Sequence, residues 1–401
     1  MSARDARLLV AHVVYRFDVG GLENGVVNLL NRLPSERFRH AVIALTEITD
    51  FRRRVLRDDV QYFALNKRPG HGAKVWPSLY RIFRALRPDI VHTRNLAPLE
   101  ACVPAWLAGV PVRVHGEHGW DVGNLDGSNR SHRITRRLYR PFVTHYIALS
   151  RHIEDYLRQQ IGVPSARISQ IYNGVDLQSF AAPAMTRAPI DGSPFNDPRL
   201  WLCGTVGRLA AVKDQGALVR ALARLQRGHA EARSRMRLVI VGDGPLAAEL
   251  RELARSEGVA NSVWLPGARG DIAQIMGGFD AFALPSLAEG ISNTLLEAMA
   301  SARPCVATAV GGNVELIEGG TSGTLVPAAD PRALDAALHG YFADPASARG
   351  HGVAARAAVE QRFSLERMVS DYAALYERLV LRDARRAAAV KDAVFETRAG
   401  H

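Results

Sequence analysis

Short apolar runs separated by amphipathic stretches recur along the whole chain, and the spacing within each stretch sets the element it predicts. Apolar runs at Leu8–Val14, 40–45, 89–92, 112–115 and 146–149 predict buried strands. Apolar positions at helical spacing predict helices over 24–33 and 75–86. Gly20-Gly21 opens the first of these, and Arg87-Pro88 ends the second. Strands separated by helices imply a parallel sheet covered on both faces. The alternation resumes after residue 200, with strands predicted at 202–206, 237–241, 262–265, Ala281–Leu284, Cys305–Thr308 and 323–326. Between the two series, Pro183, Pro189, Pro194 and Pro198 break the pattern. Beyond Phe363 it predicts an amphipathic helix to about residue 382, then an Arg/Ala-rich tail. The expected organisation is an α/β domain over 1–180, a linker over 181–198, a second α/β domain over 199–363, and a final helix and tail over 364–401. Two units joined in this way leave a cleft, a preferred place for ligands.

The 401 residues suffice for two domains, and 47% hydrophobic with 23% charged residues is the balance of a soluble globular protein. No apolar run approaches the ~18 residues that span a bilayer. The first apolar run stops at Tyr15-Arg16, which makes it a strand rather than a signal peptide. Cys102, Cys203 and Cys305 lack metal-site spacing and read as buried thiols of a reducing compartment, so a cytoplasmic location is expected. The net charge of +11 is uneven. Residues 1–180 hold 26 Arg/Lys against 16 Asp/Glu, whereas residues 181–401 hold 25 against 24. Within the basic half, Arg130, Arg133, Arg136, Arg137 and Arg140 fall largely along one face of a helix, with Ile134, Leu138 and Phe142 on another. Such a helix either packs its apolar stripe inward and leaves its arginines in water, or lies peripherally on an anionic membrane surface. No recognition motif or aromatic platform points to nucleic acid.

The most informative segment is Pro285-Ser-Leu-Ala-Glu-Gly-Ile-Ser-Asn-Thr-Leu-Leu-Glu-Ala-Met-Ala300. Glu289 lies on the loop at the carboxyl end of a predicted strand, where open α/β sheets bind ligands. Ser292 or Asn293 caps a helix predicted over 294–303, and Glu297 lies about one turn into it. The free backbone N–H groups of Gly290, Ile291, Ser292 and Asn293 form an anion site between the two carboxylates, an arrangement suited to a nucleotide sugar. Glu-x7-Glu alone is a weak pattern; its strand–loop–helix–strand context gives it weight. Arg208 and Lys213, in Thr205-Val-Gly-Arg-Leu-Ala-Ala-Val-Lys-Asp214, follow another strand on a glycine turn, where both cations can converge on one diphosphate. Gly242-Asp-Gly-Pro245 lacks the third glycine of a dinucleotide fingerprint, and no P-loop or Asp-x-Asp metal motif is present.

These segments resemble the motifs of retaining glycosyltransferases of the GT-B fold, family 4 (glycosyl transferases group 1), and the resemblance extends over nearly the whole chain. It implies two Rossmann-like domains with parallel sheets facing across a cleft, and a last helix crossing back to the first domain. It implies that Glu297 holds the ribose hydroxyls, that Glu289 faces the donor sugar near its anomeric carbon, and that the amides from Gly290 to Asn293 hold the diphosphate. Arg208 and Lys213 match the basic pair that neutralises the departing nucleotide, without a metal ion or other cofactor. Gly20 and Gly21, in Asp18-Val-Gly-Gly-Leu-Glu23, match the family's first glycine loop, which approaches the ligand closely. Ile171-Tyr-Asn-Gly-Val-Asp176 matches its hinge segment, and residues 267–271 match the loop that meets the nucleotide base. In Val114-His-Gly-Glu-His-Gly-Trp-Asp121, His118 matches the histidine that reaches the donor sugar, with His115 as its neighbour. Glu117 and Asp121 are the alternatives in another register. More narrowly, the chain resembles exopolysaccharide sugar transferases, including those associated with the exosortase system. The implied reaction moves a hexosyl or N-acetylhexosaminyl group from a nucleotide-diphosphate sugar to a hydroxyl of a growing or polyprenyl-diphosphate-linked glycan. A nucleotide-sugar 2-epimerase of the same fold is the alternative.

Overall fold

The computed structural model describes residues 5–68, 72–119, 127–180 and 187–399; Asp121 and residues 181–186 of the expected linker lie outside them. The described residues form two compact units. One contains the chain up to residue 119, residues 127–172 and everything from Arg367 onward; the other runs from Asn173 to Glu366.

The first unit is built on a seven-stranded sheet of order β3-β2-β1-β4-β5-β6-β7. The strands are β1 Leu8–Val14, β2 Phe38–Ala44, β3 Gln61–Ala64, β4 Ile90–Arg94, β5 Val112–Glu117, β6 His145–Ala148 and β7 Ile168–Gln170. Every pairing is parallel. β1 is buried along nearly its whole length, which is why its sequence is a continuous apolar run rather than an alternation. The helix Trp76–Leu86 has Pro77 in its first turn and ends where Arg87 turns left-handed ahead of Pro88. β3 and β7 were not among the predicted strands. Both are short edge strands with no fully buried residue, so neither carries an apolar run.

Two expectations are corrected in this unit. The last helix does not give way to a tail near residue 382; it runs from Leu365 to Ala399, because alanine and arginine are both strong helix formers. From Arg367 onward it belongs to the first unit, as the crossing-back helix should. There Tyr376 is fully buried, with its hydroxyl 2.7 Å from His92 Nδ1, and Glu377 pairs with Arg37. The second correction concerns the helix Arg130–Tyr139. Its arginines do not form one continuous solvated face: Arg130 and Arg137 are exposed, but the others turn toward the protein. Arg136 is buried and donates from Nε and Nη2 to the two oxygens of Glu117, at 2.5 and 3.0 Å. Arg133 bonds the Gln160 side chain, Arg137 the Gln160 carbonyl, and Arg140 the carbonyls of Ile161 and Gly162. The buried carboxylate of Glu117 turns this helical face inward, which leaves Ile134 56% and Leu138 65% exposed.

The second unit has a six-stranded parallel sheet of order β10-β9-β8-β11-β12-β13. Its strands are β8 Trp201–Val206, β9 Met236–Val241, β10 Val263–Gly267, β11 Ala281–Leu284, β12 Cys305–Thr308 and β13 Thr324–Val326. Residues 187–198, the described part of the expected linker, pack onto this unit. Ile190 and Phe195 are buried, and the Asn196 amide bonds both the N–H and the carbonyl of Ile190 at 2.9 Å. The segment 173–176 runs beside the start of the last helix. Val175 N–H donates to Phe363, and Leu365 N–H donates to Val175, each at 3.0 Å. A side chain on Gly174 would meet Leu365 Cα at 2.6 Å, so the close pass requires glycine. Among the described residues no helix is long and apolar enough to cross a membrane.

Candidate active site

β11 delivers the principal loop of the second unit. Its four residues are buried, and Pro285 stops the strand. Ser286 follows, fully buried, and its carbonyl accepts from Thr308 Oγ1 at 2.6 Å, which ties the loop to β12. Three residues on, the buried Glu289 carboxylate turns back: Ser286 Oγ and Lys213 Nζ both donate to Oε1, each at 2.6 Å. The Lys213 turn is held to this loop by a backbone bond from Leu287 N–H to the Val212 carbonyl at 2.8 Å. Lys213 and Glu289, 76 residues apart, thus form one ion pair on a fixed frame.

The helix Asn293–Ala300 begins just beyond, with Ser292 as its cap accepting from Leu295 N–H at 3.3 Å. It starts one residue before, and stops three before, the predicted limits. Gly290 to Ser292 lead into it, and Glu297, half-buried, lies one turn in. Asn293 Oδ1 accepts from Asn173 Nδ2 at 2.7 Å, which joins the Asn-Gly-Val-Asp segment to the start of the helix after the Glu289 loop. Gly311 supports the loop from below. It has φ 50°, and a Cβ there would fall 1.8 Å from the Glu289 carbonyl oxygen. Gly311→Ala is therefore expected to destabilise the protein by about 1–3 kcal/mol, read as a lower unfolding midpoint in denaturant.

Arg208 lies on the neighbouring loop after β8. Its side chain is exposed and, among the described residues, makes no ion pair with the Lys213–Glu289 couple or any other carboxylate. Its carbonyl accepts from the buried Gln215 amide at 2.9 Å. The Gly242-Asp-Gly-Pro turn, discarded as a cofactor loop, shapes this one. Leu209 N–H donates to the Asp243 carbonyl, and a Cβ on Gly242 would meet the Gly207 oxygen at 1.9 Å. Ser286, Thr308, Gln215 and this turn were missed from sequence, because none carries a signal until the strands bring it beside the loop.

The remaining candidates belong to the first unit. Gly20 is the extended cap of the helix Gly21–Arg32. A Cβ at Gly20 would lie 2.2 Å from Glu23 Oε2, so the Glu23 carboxyl folds back over the turn; burial pushes its pKa up. His118 follows β5, its backbone N–H fixed by Asn95 Oδ1 at 2.8 Å. Its Nε2 is shielded from solvent and has no partner among the described residues. Burial first, and then the Arg94 guanidinium, hold its pKa down at about 3, so the imidazole is neutral near pH 7. The buried Arg94, also missed from sequence, bonds His12 Nδ1 at 3.1 Å. Glu117, the alternative to His118, has a structural role: burial pushes its pKa up, but Arg136 and the His115 bond outweigh it and hold it at about 2. His115 bonds Glu117 at 3.2 Å and Thr93 Oγ1 at 2.8 Å. The three cysteines are buried and free, and burial pushes Cys102 up to about 11 and Cys203 to about 12, so they are protonated thiols. Among the described residues no three His, Cys, Asp or Glu side chains gather as a metal site.

This arrangement meets known proteins over both units. Residues 19–179 match the family model described as Glycosyltransferase Family 4, and residues 202–344 match the model described as Glycosyl transferases group 1. The chain belongs to the family 4 glycosyltransferases. The transferase is 28% identical over 318 residues to the putative glycosyltransferase EpsF of Bacillus subtilis, covering 76% of this chain and 80% of that one. It is 28% identical over 340 residues to the UDP-Gal:alpha-D-GlcNAc-diphosphoundecaprenol alpha-1,3-galactosyltransferase of Escherichia coli, covering 81% and 86%. Among solved structures, Anabaena HepE in complex with UDP and glucose superposes with a TM-score of 0.78 at 21% identity, covering 93% of this transferase and 100% of that chain. At that identity the likeness speaks for the fold: the two parallel-sheet units are those of the GT-B glycosyltransferases.

Proposed function

We propose that the enzyme transfers a sugar, with retention, from a nucleoside-diphosphate sugar to a hydroxyl of a lipid-linked or growing exopolysaccharide glycan. One observation carries the reading. Glu289, held at 2.6 Å by both Lys213 and Ser286, stands at the approach to the N-terminus of the helix Asn293–Ala300. The amides from Gly290 to Asn293 are donors for a diphosphate, and Glu297 receives the ribose hydroxyls. As the bond from the anomeric carbon to the β-phosphate oxygen breaks, Lys213 and Arg208 stabilise the charge gathering on the diphosphate. The acceptor oxygen bonds the anomeric carbon on the same face, and its proton passes to the departing phosphate oxygen. Glu289, tied up by a cation and a hydroxyl, positions the sugar rather than forming a covalent intermediate. His118, neutral, serves as a hydrogen-bond partner of the sugar and not as a proton donor.

The acceptor class draws support from the Escherichia coli relative, whose acceptor carries diphosphoundecaprenol. A lipid-borne acceptor implies peripheral residence at a membrane. The test is calorimetry against a panel of nucleotide sugars, followed by transfer to a short-chain polyprenyl-diphosphate sugar with the product anomer read by NMR. An inverted product, or isomerised donor without transfer, would sink the reading.

Glu297→Ala is expected to weaken nucleotide binding by about 1.5–3 kcal/mol, the worth of hydrogen bonds to a charged acceptor. Unchanged affinity by calorimetry would show that the ribose contact is wrongly placed. Because two side-chain cations carry the neutralising role, we also expect transfer to persist after exhaustive chelation. Complete loss that manganese or magnesium restores would defeat this diphosphate site.

A further inference from the structure

We propose that the second unit holds a pocket for one uncharged pyranose behind the Glu289 loop, and that the bound sugar adjusts the Lys213–Glu289 pair. The adjustment rests on the roles given above to those two residues; the pocket stands without them. It encloses about 160 Å³ between the helices Gln215–Gly228 and Pro331–Ala343, at the carboxyl ends of β11, β12 and β13. Such strand ends are where open α/β sheets take ligands. Its lining includes none of Arg208, Lys213, Ser286, Glu289 or Glu297, so it is separate from the proposed donor site. Two non-glycine residues of its wall are left-handed, Asp214 at φ 42° and Ala329 at φ 55°. Strain of this kind persists only where the surroundings impose it, and it gathers at binding sites.

Size and lining together name the ligand. A cavity of about 150 Å³ takes up benzene, so this one has the size of a six-membered ring. Ala217, Pro285, Val326 and Leu334 give it apolar walls. Arg220 and Arg224 are balanced by Asp214 and Asp330, and three of these four keep bonding capacity unspent among the described residues. Arg220 has one long contact, Nη2 to Asp214 at 3.5 Å. Arg224 spends Nε and Nη2 on Asp335, which leaves Nη1. Asp330 spends only Oδ1, on the N–H groups of Arg332 and Ala333. An anion would meet as much negative as positive charge here, whereas a hydroxyl, donor and acceptor at once, satisfies both kinds of partner. Several hydroxyls on a ring with apolar C–H faces make a pyranose. The pocket also shares walls with the active-site frame. Asp214 directly follows Lys213, in a turn whose Val212 carbonyl accepts from Leu287 N–H at 2.8 Å. Pro285 precedes Ser286, and Thr308 Oγ1 donates to the Ser286 carbonyl at 2.6 Å. A sugar that draws Arg220 from Asp214, or presses on Pro285 and Thr308, therefore acts on both residues that hold the Glu289 carboxylate.

The test titrates the full chain with D-glucose, D-galactose and D-mannose, and with their methyl α-glycosides, by saturation-transfer NMR and thermal melts. At least one sugar should bind, raise the melting point and change the donor Kd by about fivefold. Linkage then requires the donor to change the sugar Kd by the same factor. Ala217→Leu, which fills the pocket from a half-buried position, should abolish sugar binding and leave the melting point and the sugar-free donor Kd near the parent's. Arg220→Ala, at an exposed position, should weaken sugar binding by about fivefold or more. Binding of the methyl glycosides as well would support the pocket with the end of a glycan as its ligand, and binding of the free sugars alone would support it with a metabolite. Binding by none of these sugars, or sugar binding that survives Ala217→Leu, would overturn the pocket. Tighter binding of glycerol 3-phosphate than of any neutral sugar would overturn its assignment to an uncharged ligand. A bound sugar that moves neither donor Kd nor kcat would overturn the adjustment of the pair. Failure of the parent to bind any nucleotide sugar would strike the transferase reading and leave the pocket result standing.

Discussion

Lys213→Ala should lower turnover by roughly a hundred- to a thousandfold, the cost of removing one preorganised group from a site where charge develops. Two effects combine at this residue. In the proposed mechanism the ammonium is a cation for the departing diphosphate, and among the described residues it is also the only charged partner bonded to the Glu289 carboxylate, at 2.6 Å. Removing it leaves a buried carboxylate with Ser286 alone, free to adopt poses that no longer face the sugar. Turnover should therefore suffer more than donor affinity, since the proposed nucleotide contacts, Glu297 and the amides before the helix Asn293–Ala300, are left in place. Glu289→Gln separates the two effects: it keeps the shape and both hydrogen-bonding neighbours but removes the charge that holds Lys213. If Lys213 acts on the diphosphate in its own right, Glu289→Gln should retain more activity than Lys213→Ala. The measurements are kcat at saturating donor and donor Kd by calorimetry. A Lys213→Ala enzyme with a lower melting point but near-normal kcat would reduce the pair to a structural role.

The sheets were legible because parallel strands buried on both faces must be apolar throughout, and such runs stand out. Ala281–Leu284 and Cys305–Thr308 have the limits expected of them. Edge strands such as Gln61–Ala64 bury too little to leave a run, and they stayed invisible. The layout of the candidate site was legible where the segment is contiguous, as from Glu289 to Glu297, where a loop leads into a helix capped by Ser292. It was not legible where a tertiary contact decides. Nothing local says that Lys213 turns to Glu289, that Gln215 braces the Arg208 carbonyl, or that Arg136 folds inward to Glu117. The last case left Ile134 and Leu138 exposed where an inward apolar stripe was one expectation, because arginine periodicity records where cations lie and not which of them meets a buried carboxylate. The same holds for the histidines of the first unit: their strand positions were plain, but their packing together was not.

That packing leads to the other large expected effect, which is loss of the first unit's structure in mild acid. His12, His40 and His92 are fully buried, on β1, β2 and β4, and His145 nearly so on β6; His118 shields its Nε2 just after β5. Burial lowers the pKa of all five, with Arg94 adding to the effect at His12, His40, His92 and His118, and Arg378, Arg382 and Arg167 at His145. The folded values are about 3 for His40 and His118 and about 4 for His145, against 6.5 for a free imidazole. Below pH 6.5 the unfolded chain therefore binds protons that the folded chain refuses, so stability falls as the pH falls. The loss continues until the folded groups titrate near 3 to 4. Each such histidine costs about 1.4 kcal/mol per pH unit across this window. The three with folded values near 3 to 4 together cost about 4 kcal/mol per unit, a large share of the stability of an ordinary domain, and His12 and His92 act in the same direction. Near-UV circular dichroism and thermal melts between pH 7.5 and 4.5 (roughly the span of the unfolded titration) should show a steep fall in the melting point below about pH 6. His40→Asn, which removes one titrating group from the His12–His40 contact at 3.2 Å, should flatten the profile even if it lowers the plateau. A melting point that stays level from pH 7 to pH 5 would mean these imidazoles take up protons in the folded state, and the neutral His118 assigned to the sugar site would have to be abandoned with them.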